Sequence, residues 1–193
     1  MDDPGAPLIV TLKLDDRSFR FFDEFRQRHF PPERNFIPAH LTLFHHLPGT
    51  ALAAIAADLD TVVRHRPPVH LTVSGLRFLG HGVAFNLISP ELEALRGQLA
   101  RTWDFRLQAQ DRQRFRPHVT IQNKVPPDEA RSLFQHLSEN FVPFTVEGKG
   151  ILLWNYLGGP WEAVGDFPFQ PRPTESDAPR SPPLPASNRH HHL

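Results

Sequence analysis

Ile37-Pro38-Ala39-His40-Leu41-Thr42-Leu43 and Phe115-Arg116-Pro117-His118-Val119-Thr120-Ile121 are two versions of one pattern: a proline-containing approach, then His-x-Thr-x with apolar residues at both x positions. On a β-strand, side chains at i and i+2 share a face. His40 and Thr42 therefore point one way while Leu41 and Leu43 point the other. His118 and Thr120 stand in the same relation to Val119 and Ile121. Each strand is anchored by an apolar back and presents an imidazole and a hydroxyl from its front. A third copy, His70-Leu71-Thr72-Val73, enters a hairpin rather than preceding a helix. Its context sets it apart from the matched pair, and His70 is read as a polar residue on a sheet face.

Working outward, residues 8–14 read as a strand and 17–29 as a helix, with Phe21, Phe22, Phe25 and Phe30 near the spacing of a buried face. Pro31-Pro32 stops that helix. A strand over 36–46 carries the first motif, and 51–65 form an Ala-rich helix with Leu52, Ile55, Leu59 and Val62 on one stripe. Strands at 69–78 and 82–88 are joined through Gly80-His81-Gly82. The helix from Pro90 has Ser89 as its N-cap. The second motif strand, 116–124, leads into a helix over 128–140, and strands at 144–146, 150–156 and 161–167 finish the domain. Helix, motif strand, helix and then strands recur in both halves, an internal pseudo-repeat.

The chain has 193 residues, 21 Lys+Arg against 21 Asp+Glu, 12 His and no Cys. Charge balance excludes a global basic field for long nucleic acid, but not a short or terminal nucleotide substrate. The absence of cysteine removes disulfides, thiolate nucleophiles and Cys-ligated zinc. The start is acidic and its apolar stretch, 7–12, is too short for a signal or membrane segment, so a cytoplasmic location is expected. Residues 1–169 read as one bilobal domain. Residues 170–193, Pro-rich and polar, read as a disordered tail whose final histidines are solvated.

Two imidazoles near neutral pKa can divide the deprotonation of a water from the protonation of a leaving alkoxide. Fixed Thr42 and Thr120 hydroxyls would stabilise charge on the phosphoryl oxygens. These four residues are the catalytic candidates, with a pH profile expected to be bell-shaped around neutrality. Extending the i, i+2 count places Phe44 and His46 with Thr42, and Arg116, Gln122 and Lys124 with Thr120. Arg116, Lys124 and His46 become candidates for flanking phosphates and Phe44 for stacking a base. His45 falls on the opposite face. Trp154, Tyr156 and Trp161 read as core aromatics.

The matched His-x-Thr pair, with the strand and helix order around it, resembles the 2H phosphoesterase superfamily over about residues 7–168, within it the 2′-5′ RNA ligase/cyclic phosphodiesterase-like branch. The resemblance implies an α+β fold of two pseudo-symmetric lobes with antiparallel sheets lining a central groove, and helices on the outer faces. It also implies a metal-independent enzyme with no cofactor that opens 2′,3′-cyclic phosphates of RNA ends or small nucleotides, or joins 2′-5′ linkages in reverse. Two features depart from the pattern: the C-terminal tail, and Asn123, where many relatives carry arginine. An RNA 3′ end or small cyclic nucleotide is the expected partner, with no membrane or protein partner and a monomeric chain. Two other readings stand beside this one. A metal hydrolase would draw on His40, His45, His46, His118 and Asp111, although His-Glu-x-x-His spacing is absent. A noncatalytic nucleotide- or RNA-end-binding module would not need a matched imidazole pair.

Overall fold

The alternation around both motifs is realised as β-structure in a computed structural model that describes residues 5–171. The strands are β1 (Leu8–Leu14), β2 (Leu41–Leu47), β3 (Val69–Phe78), β4 (Val83–Ile88), β5 (His118–Gln122), β6 (Phe144–Tyr156) and β7 (Trp161–Pro168). Between them run the helices α1 (Asp16–His29), α2 (Leu52–Val63), α3 (Pro90–Thr102), α4 (Ala109–Arg112) and α5 (Pro127–Glu139). Asp15 caps α1 by accepting from the N–H groups of Arg17 and Ser18, and Ser89 caps α3 through Leu92 N–H. Nearly all of the tail expected at 170–193 lies outside the described residues. No helix among the described residues is long and apolar enough to cross a membrane.

The strands form one seven-stranded antiparallel sheet in the order β2-β1-β6-β3-β4-β5, with β7 also on β6. The long strand β6 belongs to both halves. Its first residues pair with β3, while the later ones pair with β1 and β7. The sequence alone suggests two strands here, divided at the glycines. In the fold, those glycines are where neighbours come closest: a Cβ at Gly148 would meet Val69 and Leu12 side chains at 2.8–2.9 Å, and one at Gly150 the Phe167 carbonyl oxygen at 2.6 Å. They permit pairing rather than end the strand.

β2 and β5 are the outermost strands of that order, yet they lie against each other, because the sheet curls and α1 packs on β5. Arg26 of α1 fastens this closure. Its guanidinium donates to the Thr120 carbonyl at 2.9 Å, to Asn35 Oδ1 at 2.8 Å and to the Ile37 carbonyl at 3.0 Å. Behind the sheet, Phe22, Leu41, Leu43, Ile55, Leu59, Val119 and Ile121 are buried in a continuous core. The apolar backs of both motif strands are thus fixed by hydrophobic burial, which aims their fronts.

Candidate active site

His40 immediately precedes β2, His118 opens β5, and both rings are held alike. His40 Nδ1 lies 2.8 Å from the Pro38 carbonyl oxygen, and His118 Nδ1 lies 2.8 Å from that of Arg116. A carbonyl can only accept, so each Nδ1 carries the proton and each neutral ring keeps Nε2 as its free acceptor. Burial pushes the His40 pKa down to about 4 against the Pro38 bond, which raises it, with positive charge at Arg26, His118 and His45 adding to the depression. Burial also lowers His118, where the Arg116 bond opposes the shift and Arg77 and His45 deepen it. His40, His118 and His45 therefore share one electrostatic neighbourhood.

Register fills in the face around them. Thr42 pairs with Thr11, whose hydroxyl oxygen accepts from Trp154 Nε1–H at 2.9 Å. Thr120 pairs with Ala84, which pairs with Arg77, so these residues share a face and Arg77 joins the His118 side. Arg116 is exposed, acts on Arg77 electrostatically and anchors His118 through its own carbonyl.

Five expectations from the i, i+2 count need correction. Pairings Thr11–Thr42, Val10–Phe44 and Leu8–Leu47 show that β2 carries an extra residue after Leu43 and another before Leu47. Such bulges exchange the two faces of a strand. Phe44 accordingly turns into the core, 0% exposed, with Trp103 at 5.0 Å and the Arg96 guanidinium over its ring at 4.5 Å, and cannot stack a base. His45, expected to face away, takes the face that Thr42 presents. His46 lies within the second irregularity, half-buried, its backbone N–H bound by Asp111 Oδ2 at 3.0 Å. In β5, pairings Ala84–Thr120 and Val83–Gln122 reveal a further shift at Ile121, after which Gln122 is buried. Lys124 sits past the strand end in left-handed backbone, φ 61°, and does not continue the Thr120 face.

Two groups take places that the sequence reading did not give them. The first is Asp111, 2% exposed, which receives the backbone N–H of His45 at 2.9 and 3.0 Å and faces His45 Nδ1 at 3.0 Å. Burial pushes its carboxyl up, but these hydrogen bonds outweigh it and hold the group below the usual carboxylate range. No run of sequence links residue 111 to 45; only the fold brings them together. The second group is aromatic. Trp161 lies 4.7 Å from the His40 ring and 6.1 Å from Trp154, and both indoles are only half-buried. With Phe19 and Phe36 they line a cavity of about 320 Å³ that includes His40. These tryptophans wall the site rather than fill the core. Tyr156, also expected in the core, is 40% exposed.

His70 lies elsewhere. It is exposed on β3, in a separate depression of about 620 Å³ with Asp15, Arg17 and Glu147, where neither paired motif reaches. Among the described residues no group of three or more His, Asp or Glu side chains stands close enough to hold a metal ion. Asp111, offered as a ligand in the metal reading, commits both carboxylate oxygens to His45 and His46.

The profile of the 2′-5′ RNA ligase superfamily matches residues 14–160, which include both motif strands. Comparison with curated protein sequences finds no match. Among solved structures, TT0787 of Thermus thermophilus is similar over 86% of this chain and 99% of its own, with a TM-score of 0.60 and 16% identity. E. coli LigT complexed with 3′-AMP is similar over 86% of this chain and 98% of its own, at TM-score 0.53 and 18% identity. LigT complexed with ATP gives 86% and 99%, at 0.53 and 19%. At such identities the likeness speaks for the fold; the profile, spanning most of the domain, speaks for descent, and the chain belongs to the 2′-5′ RNA ligase superfamily.

Proposed function

We propose that this chain is a metal-independent phosphodiesterase that opens 2′,3′-cyclic phosphates on RNA ends or small nucleotides. The observation that carries this reading is the twin anchoring of His40 and His118: both Nδ1 atoms are tied to a backbone carbonyl, and both Nε2 atoms are left for proton transfer in one neighbourhood. His40, whose pKa is about 4, is neutral at pH 7 and acts as the base. Its Nε2 takes a proton from water as the water oxygen forms a bond to phosphorus. The bond from phosphorus to one ribose oxygen breaks, and that alkoxide takes the Nε2 proton of His118. A bound phosphate anion favours the charged form of His118, countering the burial that lowers it. Thr42 and Thr120 hydroxyls donate to the phosphoryl oxygens, and Arg77 and Arg116 add positive charge.

With a ribose hydroxyl in place of water, the same two proton transfers join strands, which is the ligase direction. The tryptophan-lined cavity beside His40 suits a nucleobase, since every base has a face to stack. Crystals of LigT with 3′-AMP, ATP and NADP+ accord with a nucleotide ligand for a related fold. The test is incubation with each 2′,3′-cyclic nucleotide in the presence of EDTA. A single monophosphate isomer is expected. Binding without turnover for every base would support the noncatalytic reading instead.

A further inference from the structure

His45 lies on the face opposite to the one a plain residue count assigns it, and the way it is held goes beyond what a bulge requires. Asp111 accepts from the backbone N–H groups of both His45 and His46, which fixes the bulged backbone. The same carboxylate also faces the His45 ring, Nδ1 to Oδ1 at 3.0 Å. Asp111 is in turn seated by Arg96, which donates to its backbone carbonyl and, at 3.4 Å, to that of Leu43. The carboxylate side chain is 1% exposed while the His45 side chain is 41% exposed. A buried anion thus grips one nitrogen of a solvent-reaching ring whose other nitrogen has no hydrogen-bond partner among the described residues, on the strand face of Thr42 and in the electrostatic neighbourhood of both His40 and His118. Neither proton transfer proposed above uses this ring.

The geometry points to His45 as a third ligand-touching residue, one that donates Nε2–H to a non-bridging oxygen of the substrate's phosphoryl group, with Asp111 as its positioning residue. This rests on the phosphodiesterase reading of the same groove. An imidazole that bridges a carboxylate and a phosphate donates through both ring nitrogens to two anions, a pair of charge-assisted hydrogen bonds. The buried carboxylate fixes the ring's rotation before ligand arrives, and less ordering is left to the binding step. The ligand feature recognised is a phosphoryl group with an unesterified oxygen, which the cyclic substrate and its monoester product both have.

The test titrates inorganic phosphate into the full chain and follows the histidine ring nitrogens by 15N NMR, with kinetics on a 2′,3′-cyclic nucleotide alongside. In the wild-type chain, the His45 signal should move together with those of His40 and His118. His45→Gln should weaken phosphate binding and raise KM by about 10–100-fold, the range of a hydrogen bond to a charged group, with a smaller change in kcat. Asp111→Asn should weaken binding in the same direction and broaden the His45 signal. If His40 and His118 respond to phosphate but His45 does not, or if His45→Gln binds phosphate like the wild type, then His45 merely pins the bulge and the inference fails alone. If no ring responds in the wild-type chain, the phosphodiesterase reading falls with it.

Discussion

At one motif His40 stands against the Trp161 ring, with the buried Arg26 guanidinium as the foremost positive charge acting on it; at the other, Arg77 is the foremost positive charge acting on His118, and Arg116 lies two residues upstream. The backbone anchor is the same in both places, Nδ1 to a carbonyl at 2.8 Å. What differs is the wall. Burial keeps His40 uncharged and the aromatic wall offers a surface for a flat ring, while the other motif has Arg77 and Arg116 as its positive charges. On the proposed reading, two copies of one motif thereby take unequal roles: a base that is neutral at rest, and an acid that gains its proton where anion accumulates.

The largest effects should come from removing either ring. His40→Ala and His118→Ala are each expected to cut kcat by roughly 10²–10⁴-fold with the fold intact, checked by steady-state rates beside circular dichroism. Loss at one position only would break the pairing. Phe44→Ala should instead act on stability, by about 3–5 kcal/mol in denaturant melts, because its ring is core and not a base platform. Trp161→Ala should raise KM for nucleotide by roughly 10-fold, within the 1–3 kcal/mol of a stacked base, with kcat little changed.

The pH profile sharpens the contrast further. With His40 as the proposed base and His118 as the proposed acid, kcat/KM should rise through the His40 pKa, about 4, and fall through that of His118, which lies below its usual 6.5. The optimum then lies on the acid side of 6.5, not around neutrality as the motif alone suggests. Arg77→Gln removes a charge that lowers His118, and should move the alkaline limb upward. Smallest of all, His70→Ala should leave rates within about twofold, as for a surface residue remote from the groove.

Local alternation makes both motif strands readable, since Leu41, Leu43, Val119 and Ile121 have to be buried for the rest to point outward. Ser89-Pro90 likewise marks the start of α3 through cap chemistry. The strand faces become unreadable where β2 bulges, because nothing in Phe44-His45-His46 announces an extra residue. That bulge is stabilised from residue 111, far along the chain. The two glycines of β6 look like a break because their role is close approach to Leu12, Val69 and Phe167, which only the assembled sheet reveals. Trp154 and Trp161 read as core because large aromatics usually are. They line a cavity here because β7 adds to the edge of β6 beside His40.

The most direct test of the paired imidazoles is a crystal structure of the chain with a nucleoside 2′-monophosphate bound. The expected result is one phosphoryl group between the rings, with the Nε2 atoms of His40 and His118 each about 2.6–3.2 Å from oxygens on opposite sides of the phosphorus. A phosphate that touches only one of the two rings, or that settles in the depression around His70, would contradict it.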